Sequence, residues 1–83
     1  MRAQEYLKIR KYIKSICMDN LLELCEKVGL NDFETKLMVY TNRNETRVHT
    51  SIDLGVCEST VSKTKHKIFQ RIRDYLKRNN IPY

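Results

Sequence analysis

Ser59, Ser62, Lys63, His66 and Lys67 follow one another at spacings of three and four or lie directly beside such positions. Residues so spaced project from neighbouring strips of one helical face. Short hydroxyls, an imidazole and two ammonium groups at the start of a helix suit the edges and phosphates of duplex DNA. Lys63 can donate to guanine N7 and O6, and Glu58 can accept from cytosine N4. Glu58, Ser59, Ser62, Lys63 and His66 are therefore read as base-facing. For Glu58 the alternative is that it only stabilises the positive end of the helix, and for Ser59 an N-cap-like role. Arg43, Asn44, Arg47, Thr60 and Lys67 are read as phosphate contacts, which position a protein on DNA without reading sequence. Lys65 falls near the apolar side, where its stem can lie along the core while its charge reaches out.

These residues need a particular scaffold. Val61, Ile68, Ile72, Tyr75 and Leu76 fall on one side of a helix over 58–78, with Phe69 at its edge. Ahead of it, a helix over 45–54 stops at Gly55, and Val56-Cys57 makes a tight connection. Leu54 and Val56 are expected to point inward, with Val61 closing the core against them. Two helices joined by so short a turn form a helix-turn-helix, whose second helix can enter the major groove. Upstream, Asn31 and Glu34 have the spacing of a capping box, and Phe33, Leu37 and Tyr40 mark a helix to about Thr41. The polar stretch 41–44 reads as a loop.

Tyr6, Ile9, Ile13 and Ile16 share one face of a first helix over 3–18, while Lys8, Lys11 and Lys14 fall off it. That face either packs on the domain's own core or forms a homodimer contact. Asp19 or Asn20 caps a second helix over 21–28, or the first helix runs straight through, and Gly29 ends the segment. Residues 79–83 are expected to fray, since Pro82 cannot continue a helix. The fold class expected is an all-α bundle in one domain over 1–83. Within it, 1–29 is N-terminal helix, 30–78 holds the helix-turn-helix and 79–83 is a tail.

The net charge of +6 is uneven, and residues 61–83 carry seven basic side chains against one acidic. A basic block beside a near-neutral body suggests a surface for phosphate. Arg71, Arg73, Lys77 and Arg78 lie too far along to reach the same groove, so they are a solvated face or touch an acidic protein. Cys17, Cys25 and Cys57 form no Cys-x-x-Cys pair, and His49 and His66 stand alone. No cofactor, metal or disulfide framework is expected, and reduced thiols suit the cytoplasm. No signal peptide, membrane span or catalytic set is recognised, so an enzyme is not expected.

The run Leu54-Gly55-Val56-Cys57-Glu58-Ser59-Thr60-Val61-Ser62 resembles the helix-turn-helix of sigma factor region 4 and of sigma-like phage or mobile-element regulators. The likeness extends from Leu30 to about Lys77. Leu30-Asn31-Asp32-Phe33-Glu34 stands where that family has a Leu-Ser/Thr-x-x-Glu helix start. Cys57 replaces a common Ser. Thr50-Ser51 replaces a usual Ile-Ala, so Val48 or Ile52 is expected to take the core place of Thr50. The resemblance implies a bacterial or phage transcription regulator that binds double-stranded DNA. The alternative is a module that docks on RNA polymerase or another regulator and binds DNA weakly.

Overall fold

The computed structural model describes residues 2–83. It is all-helical, with five helices: α1 (Ala3–Ser15), α2 (Met18–Val28), α3 (Asp32–Asn42), α4 (Arg47–Leu54) and α5 (Glu58–Arg78). The long α5 is the spine. α1, α2, α3 and α4 all pack against it, and α3 also meets α1 and α2. Ile9 and Ile13 from α1 are fully buried, as are Leu21 from α2, Leu37 and Met38 from α3, and Ile68, Phe69 and Ile72 from α5. Each such side chain withdrawn from water contributes about 1.5–3 kcal/mol before entropy opposes it.

The helix ends follow a common rule. Gly29, Asn44, Gly55 and Asn80 each have positive φ, between 54° and 84°, just beyond α2, α3, α4 and α5. After each, an N–H reaches back five residues: Leu30 to Cys25, Glu45 to Tyr40, Val56 to Ser51 and Ile81 to Leu76. That bond satisfies carbonyls left without partners at a helix C-terminus. Asparagine adopts this conformation at lower cost than other side-chain-bearing residues. The tail does not fray in the structure: the Asn80 turn folds it back, and Ile81 and Tyr83 pack on the core.

α1 is the exception. It stops at Ser15, and Ile16 and Cys17 are extended. The cause lies in α3, where the Asn42 amide donates to Ile13 O at 2.8 Å and Ile16 O at 2.9 Å. A side chain nearly thirty residues away thus caps α1. The first helix does not run to 18, and α2 begins at Met18 behind Cys17, so neither Asp19 nor Asn20 is its cap. At α3 the expected capping box is complete: the Asn31 side chain accepts from Glu34 N at 2.8 Å, and Glu34 accepts from Asn31 N at 3.1 Å.

α4 is packed differently from the expectation. Thr50 and Ser51 face inward, 2% and 8% exposed, while Val48 and Ile52 stand out at 52% and 72%. Thr50 keeps the core place itself, because its hydroxyl bonds to Thr46 O at 2.8 Å and Ser51 bonds to Val48 O at 2.7 Å. Buried hydroxyls satisfied within their own helix carry little penalty. The helix starts at Arg47 rather than Glu45, with Thr46 as N-cap accepting from His49 N.

Candidate nucleic-acid interface

The turn between α4 and α5 is Gly55-Val56-Cys57, and Leu54 and Val56 pack partly buried against the core beneath it. Val61 is fully buried in the first turn of α5, which fixes the roll of that helix. Ser59, Lys63 and Lys67 are then exposed, and His66 with them. Among the described residues neither Lys63 nor Lys67 has a side-chain hydrogen bond or ion-pair partner. Thr60 is half-buried on the other flank, its hydroxyl 3.0 Å from Cys57 Sγ.

Arg47, Glu58 and Ser62 come together. Arg47 Nε lies 3.2 Å from Glu58 Oε1, and Arg47 Nη1 donates to Ser62 Oγ at 3.1 Å. The pair joins the first turn of α4 to the first turn of α5. Glu58 sits in that first turn, beside the positive helix end, and its carboxylate is also held by a guanidinium. The expected phosphate contacts Arg43 and Asn44 part company. Asn44 accepts from Lys14 Nζ at 2.7 Å and borders the hollow that holds Arg47. Arg43 lies on the other side, near Lys36, Tyr40 and Asp53. There Tyr40 donates to Asp53 Oδ2 at 3.2 Å, tying α3 to α4.

The imidazole of His66 stacks on Tyr6, rings 5.9 Å apart and inclined by 21°. Tyr6 also meets Phe69 at 4.8 Å, so α1 packs behind this part of α5. Ile9 and Ile13 are wholly buried, and Tyr6 and Ile16 are half-buried against the same core. Ile9 and Ile13 are thus taken up by the domain's own core, and of the four residues read as a possible dimer contact only Tyr6 and Ile16 keep partial exposure.

Of the seven basic side chains in residues 61–83, Arg71, Arg73 and Lys77 are paired within the chain. Arg71 donates to Val28 O and Gly29 O, both at 3.1 Å, and approaches Glu34. It thereby caps α2 and is not merely a solvated side chain. Arg73 and Lys77 both approach Glu5 of α1, at 3.7 and 3.2 Å. The Glu5 carboxyl is accordingly held below its ordinary range, first by its hydrogen bond to Lys77.

The thiols differ in setting. Cys25 is buried and its thiol is pushed up by burial, whereas Cys17 and Cys57 are exposed. Cys57 sits at the start of α5 with Ser59 Oγ at 3.1 Å and Thr60 Oγ1 at 3.0 Å, and these bonds bring its pKa down to about 7.

The residues that sequence reasoning missed are on α1. Arg10 lines the same hollow as Arg47, Ser62 and Lys65, and Lys14 reaches Asn44 beside it. Tyr6, Arg10 and Lys14 recur every four residues, a stripe beside the apolar one, but nothing in their spacing says which helix it meets.

No family model matches the chain, and no curated protein or solved structure is significantly similar to it. Among the described residues no helix is long and apolar enough to cross a membrane.

Proposed function

We propose that this protein is a sequence-specific double-stranded DNA-binding transcription regulator, similar in kind to sigma factor region 4, with α5 as recognition helix in the major groove. The observation that carries the reading is the exposed set Ser59, Lys63 and Lys67, with both lysines unpaired among the described residues, on the first turns of a helix that follows a three-residue turn. In a helix-turn-helix those turns are the ones that reach base edges. Ser62 and His66 border the same face, and Arg47 and Asn44 flank it toward the sugar-phosphate backbone. A cytoplasmic location and a bacterial or phage source go with this reading.

The test is selection from a random-sequence duplex pool at two salt concentrations, with wild type and with Lys63→Ala/His66→Ala. Enrichment of a motif that the double variant loses supports the proposal. Failure of the wild type to retain any motif overturns it.

A second reading is favoured by α4. Val48 and Ile52, one turn apart, expose apolar surface beside the proposed DNA face. Such a stripe suits docking on a protein such as RNA polymerase while the neighbouring helix holds DNA weakly. In that case Ile52→Asp removes polymerase binding and leaves duplex binding nearly unchanged.

A further inference from the structure

A hollow of about 510 Å³ opens between α1, the loop before α4 and the start of α5. Three cations from three different helices line it: Arg10 of α1, Arg47 of α4 and Lys65 of α5. Lys14 stands at its edge through Asn44. Two carboxylates border it, and each already has a partner: Glu45 lies 2.6 Å from His49 Nδ1, and Glu58 is held by Arg47. Among the described residues Arg10 and Lys65 have no hydrogen bond or ion pair. Lys65 is half-buried, and burial together with Arg10, Lys14 and Arg47 presses its pKa below the ordinary lysine value. The hollow thus concentrates positive potential with too little negative charge to answer it, which is the condition that draws in an anion.

We infer that this hollow seats a backbone phosphate of bound duplex DNA, gripped by Arg10 and Lys65 with Lys14 at the rim, and that α1 is therefore part of the DNA-binding surface. This rests on the reading of α5 given above. Ser62 lines the hollow and Lys63, the next residue, is exposed, so the hollow adjoins the face assigned to bases. A duplex whose major groove takes α5 carries a phosphate strand along each side of that groove. The hollow receives the strand on the α1 side. The ligand chemistry is a phosphate ester, and the polymeric source is favoured because the hollow is open and continuous with an exposed helix rather than closed around a small molecule.

The experiment measures affinity of the full chain for a random-sequence duplex and for the selected motif between 50 and 200 mM salt. Wild type is compared with Arg10→Gln, with Lys65→Met, and with Lys27→Gln, which removes one charge from α2. Each cleft variant is expected to bind every duplex about five- to tenfold more weakly near 0.1 M salt and to lower the salt slope by about 0.9, the value for one lost phosphate contact. The preferred motif stays the same, and Lys27→Gln behaves as wild type. Arg10 is exposed and Met keeps the apolar stem of Lys65, so both variants are expected to melt as wild type. Cleft variants with an unchanged salt slope, on a wild type that does select a motif, overturn the phosphate seat alone. A wild type that binds no duplex overturns the reading of α5, and this inference with it. Binding of ATP that Arg10→Gln abolishes, with the DNA salt slope unchanged, assigns the hollow to a small phosphate ester and likewise overturns the inference.

Discussion

Arg47 at the start of α4 holds Glu58 at the start of α5, Nε to Oε1 at 3.2 Å, so the two helices of the turn are tied at their N-terminal ends. Both side chains are about half exposed, 60% and 48%. An exposed pair of this kind adds at most about 1 kcal/mol to stability. Its larger effect is on charge: it keeps a carboxylate beside the proposed DNA face and holds an arginine back from phosphate.

Glu58→Gln is therefore expected to leave the melting curve nearly unchanged while random-sequence duplex binds about three- to tenfold tighter at low salt. Discrimination at one base position is expected to weaken at the same time. Unchanged affinity for random duplex would show that Glu58 does not face DNA.

Ile13 is fully buried in the core that α1 shares with α3 and α5. Ile13→Ala is expected to cost about 2–5 kcal/mol. Ile13→Asp places an unpaired carboxylate there and should abolish the cooperative melt. Leu7→Asp, at a residue 50% exposed on the same helix, should change stability by only about 0.5 kcal/mol. A folded Ile13→Asp variant that merely changed from dimer to monomer in sedimentation would contradict the packing described here.

Some of this arrangement could be read from the chain and some could not, and the division has a physical cause. Gly29, Gly55 and the Asn31/Glu34 box act through their own neighbours, so the ends they set were legible. Asn44 and Asn80 do the same work as the glycines but are commoner in plain loops, so they gave no clear signal. The break after Ser15 depends on Asn42, and the end of α2 is buttressed by Arg71, both partners distant in sequence. The burial of Thr50 is not legible from its polarity, because the Thr46 carbonyl that satisfies its hydroxyl enters only with the helix. The site followed the same pattern. The start of α5 was visible in its own spacing, whereas the Arg10 side of the hollow exists only once α1 crosses α5.

His49 has Glu45 at 2.6 Å from Nδ1 and Asp53 at 3.7 Å from Nε2. The hydrogen bond to Glu45, then the charge of Asp53, raise its pKa above the ordinary value. Its stabilising contribution to α4 is full below pH about 6.5, the unfolded value, and is lost as pH rises through the raised folded value. An NMR titration of the ring protons should give a pKa above 6.5 in wild type and a lower one in Glu45→Gln. A wild-type value at or below 6.5 would contradict the ion pairs.

Cys57, with a pKa of about 7, should react with iodoacetamide faster at neutral pH than Cys25, which is buried. A serine at this N-cap accepts more strongly than sulfur, so Cys57→Ser should raise stability by up to about 1 kcal/mol. A destabilised serine variant would contradict this account of the N-cap.

The central claim is that the first turns of α5 face DNA. The most direct measurement is a two-dimensional amide NMR titration of labelled full-length chain with its selected duplex. The account predicts that the largest shifts fall at 58–67 and 43–47, with smaller ones at Arg10 and Lys14, while α2 and residues 71–78 stay nearly still. Shifts concentrated on α2 or the C-terminal end of α5, or none at saturating duplex, would contradict it.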